Sequence, residues 1–452
     1  MSDTPASHKR AYSPHSIIAL GFAIIILLIT LLLMLPVSST SGQMTDPLTA
    51  LFTATSAVCV TGLVTVDTAT HWTLFGRAVL LVGIQIGGLG VMTVLAFAAV
   101  LLGQRIGLRQ RTLLVESISS LHIGGVVRLM RRAVLGTLLI EGLGTLLLAL
   151  RFVPLLGPVR GMGYALFHAV SAFCNAGFDL MGSVSGPYTS LESFVGDPLV
   201  NLTVIALILL GGLGFYVWDD LIESRFRPSR MQLHTRIVLC ISLFIVLLPA
   251  ALFYVLEAGH SMAGFTQGER VLASLFSAVT PRTAGFDTVP TGDLSDASSL
   301  LTMCLMLTGG NPGSTAGGAK TTTMLLMLLT AVSMLRREDE VRLFGRRMDQ
   351  DLTRKACSIV VIYVGVALIA SFSICALQPE LPLRDVLLEV FSAIDTVGMT
   401  TGVTRQLSAA SQLIIIALMY GGRLGSLTFA LLAARRPLPA PVRCPNGELL
   451  VG

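Results

Sequence analysis

Four short segments carry residue types able to do chemistry without an ionised side chain: TSAVCVTGL (55 to 63), VSAFCNAGF (170 to 178), SAVTPRTAGF (277 to 286) and SAIDTVGMT (392 to 400). Each runs into a glycine, Gly62, Gly177, Gly285 or Gly398. These glycines stand 115, 108 and 113 residues apart, so one unit of about 110 residues is used four times. Before them stand Val60-Thr61, Asn175-Ala176, Thr283-Ala284 and Thr396-Val397, mostly small or β-branched residues that pack behind a loop without blocking its mouth. Pointing successive carbonyls at one axis requires backbone angles that alternate and sometimes lie at positive φ, which glycine tolerates. Four such loops around one axis can replace the water around a cation, with carbonyls and not side chains as ligands. One glycine of this kind reads as an ordinary turn or a close helix crossing; four in equivalent places do not.

The elements that must hold these loops follow from length. Each glycine is preceded by a mostly apolar segment of 11 to 14 residues, at 46 to 58, 161 to 174, 267 to 280 and 383 to 394. At 1.5 Å per residue such a helix covers roughly 17 Å, about half of the 30 Å hydrocarbon core, so it must be re-entrant. Its C-terminal end then points at the membrane centre with a partial negative charge that favours a cation. Helix starts are marked by Asp46 before Pro47, and by Thr266 with Glu269 three residues later. Longer apolar runs flank the segments at 16 to 36, 73 to 103, 133 to 153, 199 to 218, 236 to 256, 299 to 335, 356 to 377 and 411 to 434, which makes eight spans. The first resembles a signal peptide only superficially, being long enough to cross a bilayer and lacking a small-x-small cleavage site.

Hydrophobic residues make up 53% of the 452 residues and charged residues 13%, with a mean hydropathy of +0.78. That composition excludes an ordinary soluble domain and predicts an all-α membrane protein. The expected architecture is four pseudo-symmetric units of span, half-helix, loop and span around a central pore. They cover 16–103, 133–218, 236–335 and 356–434, joined by loops at 104–132, 219–235 and 336–355, between an N-terminal segment 1–15 and a tail 435–452. Arginines gather in those loops and the tail, among them Arg105, Arg132, Arg230, Arg346 and Arg435. This places the loops and both termini on the cytoplasmic side. The net charge of +5 is therefore a topology signal, and no nucleic-acid partner is indicated. Loops between each glycine and the next span carry Asp67, Asp179, Glu192, Asp197, Asp287, Asp293 and Asp296, an acidic outer vestibule that would concentrate cations. The seven cysteines form no CxxC pair and are expected to be buried small side chains; His168 is expected to pack between helices.

A second repeat lies in the span after each loop: IGGLG (86 to 90), LGGLG (210 to 214), TGGNPGSTAGG (308 to 318) and YGGRLG (420 to 425). A glycine pair in mid-span lets helices approach closely or bend. The third copy, with five glycines and a proline in GGNPGSTAGG, predicts a broken span with an internal loop. In the fourth, Arg423 is expected to replace Leu89 and Leu213, and an arginine within a span marks function. Lys320, one of three lysines, either assists it or snorkels to the inner interface.

These residues resemble the membrane subunit of the Trk/Ktr superfamily of potassium uptake systems, through VTGL, NAGFD, PRTAGFDT and TVGMTTG, then GGNPGSTAGGAKTTT and GGRLG. The resemblance covers about residues 16 to 434 and is nearest the eight-helix Ktr type. It implies a bacterial cytoplasmic-membrane protein passing K+ through a filter at Val60, Thr61, Gly62, Asn175, Ala176, Gly177, Thr283, Ala284, Gly285, Thr396, Val397 and Gly398, often stimulated by Na+. It also implies a gate built from Gly309, Gly310, Asn311, Pro312, Gly313, Ser314, Thr315, Ala316, Gly317 and Gly318, with Lys320 and Arg423. A homodimer of pore subunits and a separate cytoplasmic nucleotide-binding ring (NAD, ATP or ADP) complete it, with lipid around the chain and no organic cofactor within it. Asp395 departs from the pattern, standing where a small or hydroxyl residue is common.

Two other classes fit less well. The stretch Gly313 to Thr321 mimics a phosphate-binding GxxxxGK[ST] loop, but Ala319 breaks its spacing and no strand precedes it, and the seven histidines show no ligand spacing, so an enzyme is not indicated. A secondary transporter of another solute would show inverted repeats, whereas two spans per unit keep all four units in one orientation. A less selective monovalent cation channel remains the nearer alternative.

Overall fold

The computed structural model describes residues 14–102, 107–118, 125–338 and 340–425. Expectations about His8, Lys9, Arg10, Arg105, His122, Asp339, Cys444, the tail and the end of the last span lie outside the described residues. In the first unit the elements are α1 (Pro14–Met34), α2 (Pro47–Cys59), a short turn of helix α3 (Thr68–His71), α4 (Leu74–Leu89) and α5 (Val91–Leu101). Helix α6 (Leu108–Ile118) leads to the second unit, with α7 (Val126–Leu156), α8 (Pro158–Phe173), α9 (Pro198–Leu213) and α10 (Phe215–Glu223). The third unit holds α11 (Leu233–Leu256), α12 (Gln267–Val279), α13 (Asp296–Thr308) and α14 (Thr321–Leu335). After a hairpin of β1 (Arg342–Leu343) and β2 (Arg346–Arg347) come α15 (Gln350–Leu377), α16 (Leu383–Ile394) and α17 (Ala409–Leu424).

The half-helices start where local chemistry supplies their orphan donors. Asp46 accepts from the N–H groups of Leu48 and Thr49 with Pro47 in the first turn, and Thr266 and Glu269 form a reciprocal capping box. Helix α8 begins at Pro158, earlier than the apolar pattern alone places it.

Among the described residues, only the outer helices α1, α7, α11 and α15 are long and apolar enough to cross a membrane unbroken. The helices after the first and second glycine loops are not the continuous spans expected. The pair α4 and α5 bends by 97° at Gly90, and α9 and α10 by 90° at Gly214, with φ of +84° and +97° at these glycines. In the third unit α13 and α14 are separated by the glycine-rich loop, and α17 ends at Gly425. Among the described residues each inner helix thus stops at a glycine with positive φ, Gly90, Gly214, Gly309 or Gly425.

Ring closure is visible in the packing. The inner helix of each unit contacts the half-helix of the next: α4 on α8, α9 on α12, α13 on α16, and α17 back on α2. The outer helices turn leucines, isoleucines and phenylalanines outward, such as Leu31, Leu139, Phe244 and Phe372, as lipid-facing helices must. Cys59 and Cys174 are buried as expected, but Cys240 and Cys304 are exposed and Cys357 and Cys375 half-buried, because their helix faces look outward from the bundle.

At one end of the molecule the arginine-rich connections are more ordered than a loop reading implies. Helix α7 starts at Val126 because Val126, Leu129, Met130 and Ala133 pack with Leu114 of α6 and Phe215 of α10. Arg132 pairs with Asp219 and lies 3.3 Å from Glu223, tying two of the arginine-rich segments together.

Candidate filter and gate

The four glycines converge. A methyl group added at Gly62 would lie 2.7 Å from the Ala176 carbonyl oxygen, at Gly177 2.9 Å from that of Ala284, at Gly285 2.4 Å from that of Val397, and at Gly398 2.2 Å from that of Thr61. Each glycine thus abuts the carbonyl of the next unit, in cyclic order, around one closed ring.

The backbone of each loop alternates in hand. Val60, Asn175, Thr283 and Thr396 take φ of +58°, +58°, +66° and +51°, the residue after each does not, and the glycines return to positive φ. Alternation turns successive carbonyls to one side. A β-branched side chain at positive φ is costly, so Val60, Thr283 and Thr396 store strain at this place. Hydrogen bonds behind the loops hold it. The N–H groups of Thr61, Ala176 and Val397 donate at 2.8 Å to the carbonyls of Ser56, Ser171 and Ser392, and Ala284 donates to Thr280 at 2.9 Å. The hydroxyls of Ser56 and Ser392 accept the N–H of Gly62 and Gly398 at 3.0 Å. His168 also serves the scaffold. Its Nδ1 donates to Tyr164 O at 2.7 Å and its Nε2 accepts the Leu180 N–H at 3.3 Å, fixing the stretch after the second loop.

Above the ring opens a cavity of about 300 Å³ floored by the four glycines and walled by Asp67, Asp179, Glu192, Asp287 and Asp293. Asp197 and Asp296 lie outside it, the first capping α9 and facing Arg151, the second paired with Arg384. Burial pushes the Asp179 carboxyl up to about 7 against the Met181 N–H, with Asp67 and Glu192 adding to it. Burial likewise pushes Asp287 to about 7 against its bond with Thr291, with Glu192 and Asp179 adding. One basic residue, Arg405, shares the wall, its guanidinium 4.2 Å from the Tyr188 ring centroid.

Below the ring the glycine pairs set a second layer. A methyl group at Gly87, Gly211 or Gly422 would fall 2.1, 1.9 or 1.9 Å from the carbonyl oxygen of Val58, Phe173 or Ile394, in each case four residues before the ring glycine. These three glycines are equivalent, and each stands three residues before the glycine at which its helix ends, Gly90, Gly214 or Gly425. Arg423 therefore takes the place of Gly88 and Gly212, not of Leu89 and Leu213, whose counterpart is Leu424.

From that place Arg423 donates to the carbonyls of Gly87 and Gly88, at the open C-terminal end of α4, and to the carbonyl of Thr315. The hydroxyls of Ser314 and Thr315 do not receive it. Ser314 Oγ donates within the loop to Asn311 O, and Thr315 Oγ1 donates to Phe173 O at 3.1 Å.

The loop from Gly309 to Gly318, with Pro312, Ala316 and Gly317 in its course, lies directly under the ring and caps the break between α9 and α10. Asn311 N and Nδ2 donate to Gly212 O at 3.1 and 2.9 Å, Thr315 N donates to Gly211 O, and Gly313 O accepts the Phe215 N–H at 2.9 Å. Gly310 O and Gly309 O accept from Thr321, closing the loop at its far end. Lys320 does not snorkel. Its Nζ turns back to Ala316 O and Gly317 O at 2.9 and 3.1 Å. Asp395 accepts the Ala319 N–H at 3.2 Å, and a methyl group at Gly317 would meet Thr396 Oγ1 at 2.0 Å. Asp395 thus serves the loop.

A model of the family described as TrkH, cation transport protein, matches residues 6–441. The chain is 37% identical to the Ktr system potassium uptake protein B of Bacillus subtilis, over 98% of this chain and 97% of that protein. It is 36% identical to the potassium/sodium uptake protein NtpJ of Enterococcus hirae over 98% of each. Among solved structures, the potassium transporter TrkH from Vibrio parahaemolyticus aligns with a TM-score of 0.73 at 17% identity, over 96% of this chain and 87% of that one. This chain belongs to the TrkH family of cation transport proteins.

In this TrkH-family chain several polar residues around the ring escaped the sequence reading. Arg282, beside Thr283, is only 4% exposed, and no carboxylate pairs with it among the described residues. Glu141, midway along α7, is buried and accepts from Gln85 Nε2 at 3.2 Å and from Cys174 Sγ at 3.7 Å. Arg405 lies in one of the loops between a ring glycine and the next span, which the sequence marks as an acidic vestibule. The first two carry a signal, being charged residues within apolar runs; Arg405 carries none.

Proposed function

We propose that this protein conducts K+ across the cytoplasmic membrane into the cell, through the ring formed by Gly62, Gly177, Gly285 and Gly398. The observation that carries the reading is the cyclic meeting of each glycine with the carbonyl of the next unit. Cations gather in the acidic vestibule, shed water at the ring against the carbonyls of residues 60 to 62 and their counterparts, and meet the negative ends of α2, α8, α12 and α16. Potassium as the ion agrees with the names of the relatives, and sodium stimulation agrees with the potassium/sodium name of one of them.

In this reading the loop 309–318 and Arg423 hold the pore shut beneath the ring. Arg423 sets a fixed positive charge on the ion path and bonds the loop to α4, while Lys320 stiffens the loop from within. Opening requires these bonds to break together. Control is assigned, as the Trk/Ktr resemblance implies and the Ktr system name of a relative supports, to a separate cytoplasmic subunit with a nucleotide-binding ring acting on a homodimer of this chain, with both termini cytoplasmic. A less selective monovalent cation channel is the second reading.

Rubidium uptake into proteoliposomes, with sodium as competitor, separates the two. The parent should take up rubidium in preference to sodium, and Gly285→Ser should weaken that preference at least several-fold. Equal uptake of both ions by the parent would favour the second reading; unchanged competition for a substitution at each of the four glycines would remove the filter assignment.

A further inference from the structure

The gate and the filter share one hydroxyl. Ser242, on α11, is 7% exposed, and its Oγ accepts from Asn311 Nδ2 of the loop at 3.2 Å and from Arg282 Nη2 at 3.5 Å. Arg282 is the residue before Thr283, the left-handed residue of the third filter strand, and its carbonyl accepts Asn175 Nδ2 of the second strand at 3.3 Å. One connected set of polar groups thus runs from two filter strands through α11 to the loop beneath.

Two features make this set more than packing. Arg282 Nε and Asn311 Oδ1 are both fully enclosed and have no hydrogen-bond partner among the described residues. A guanidinium enclosed in protein needs acceptors, and Ser242 Oγ is the one side-chain acceptor it has here among the described residues. The same hydroxyl completes the docking of Asn311, whose other acceptor is Gly212 O. Any movement of the loop away from α9 withdraws Asn311 from Ser242 and leaves that oxygen to Arg282 alone.

We propose that Ser242 is a positioning residue that couples the gate to ion selectivity. With the loop docked, Ser242 divides its lone pairs between Asn311 and Arg282; with the loop released, Arg282 bonds Ser242 fully and shifts the Thr283 carbonyl that follows it. The inference rests on the filter and gate assignments above and adds that the third filter strand differs between closed and open states.

The test uses the full chain in proteoliposomes without any partner, with rubidium flux and rubidium-over-sodium competition as paired readouts. Ser242→Ala should raise basal rubidium flux and lower the rubidium-over-sodium ratio together, each by about three-fold or more, as the loss of one buried hydrogen bond allows. Ser242→Thr, which keeps the hydroxyl, should restore both. A role in packing alone would lower the yield of folded protein and leave the ratio unmoved. If folded Ser242→Ala shows the parent's ratio, or if Thr rescues one readout without the other, the coupling is wrong. Should Ser242→Ala fail to fold, Asn311→Ala decides: it lies outside the filter, so a changed ratio supports the coupling and an unchanged one overturns it. A shifted ratio in Gly285→Ser beside unchanged ratios here would leave the filter standing and remove only the coupling.

Discussion

The ring and the layer just beneath it are built from the same fourfold repeat but treat it differently. In the ring every unit supplies the same parts: a left-handed residue, a packed residue, a glycine at positive φ, and a carbonyl set against the next glycine. In the layer below, two units keep a glycine pair, one replaces the second glycine with Arg423, and one replaces the whole turn with a loop that caps its neighbour's broken helix. A site that strips water evenly from an ion needs equal ligands on all sides. A barrier that opens needs one side able to move, and a half-buried cation with three carbonyls is a strong but breakable latch.

The largest effect should come from breaking the ring's sameness. At Gly398 and Gly285 an added side chain would meet a neighbouring carbonyl at 2.2 and 2.4 Å, and backbone atoms cannot yield as a side-chain tip can. Gly398→Ala should cut rubidium uptake by an order of magnitude or more, with the remaining flux less discriminating. Gly142, a helix glycine with open space around it, supplies the control, and Gly142→Ala should keep parental flux. Equal uptake by the two variants would sink the idea of a crowded ring.

Next in size is the latch. Arg423→Ala removes charged hydrogen bonds worth about 1.5 to 3 kcal/mol each, so the loss of even one shifts the closed-to-open balance by about tenfold or more. Basal flux without a partner should rise several-fold and lose much of its dependence on one. Deleting residues 310–317 should act the same way, provided size-exclusion chromatography shows folded protein, since the deletion also uncaps Gly211, Gly212 and Phe215. Variants of both kinds that insert normally yet transport no faster than the parent would place the gate elsewhere.

Both regions were legible in the sequence to different depths. Repetition exposes the ring, because Gly62, Gly177, Gly285 and Gly398 recur with a fixed chemistry before them. Composition exposes the loop, because no helix tolerates GGNPGSTAGG. The register of Arg423 was misread, since aligning YGGRLG on IGGLG by its first glycine moves every residue by one; only the carbonyls of Val58, Phe173 and Ile394 show which glycines correspond. The helix breaks at Gly90 and Gly214 were hidden for a related reason: apolar residues continue on both sides, so hydropathy sees one span where the backbone turns by about a right angle. Ser242 could not be joined to the site, since it stands 40 residues before Arg282 in the sequence and on the outer helix α11.

The vestibule carries a smaller prediction, set by charge. Asp179 and Asp287, raised to about 7, are neutral at pH 6 and charged at pH 8, so the vestibule attracts cations above neutrality and less below it. Rubidium uptake at limiting concentration should fall about two- to fivefold as external pH drops from 8 to 6, with maximal uptake at saturating rubidium much less affected, since the field sets local concentration. Asp179→Asn with Asp287→Asn should flatten the profile at its low value. A profile unchanged by the double substitution would assign the pH response to other groups.

The smallest effect decides where Asp395 belongs. It stands directly before Thr396 in the ring's fourth strand, yet its Oδ1 accepts the Ala319 N–H of the gate segment, and its other oxygen has no hydrogen-bond partner among the described residues. If it serves the lower layer, Asp395→Asn keeps that acceptor, loses only the carboxyl near Lys320, and should leave the rubidium-over-sodium ratio within about twofold of the parent. Asp395→Ala removes the acceptor and leaves a buried N–H unpaired, at a cost of about 1 to 3 kcal/mol to the docked loop, so basal flux should rise, and the ratio should move only with it, through release of Asn311 from Ser242. The two variants separate the layers, because a ratio that moves only where basal flux rises points to the loop, whereas a ratio that moves at parental flux points to the ring. A ratio that moves in Asp395→Asn as far as in Gly285→Ser would instead make Asp395 part of the ring, and the fourth strand would no longer match the other three.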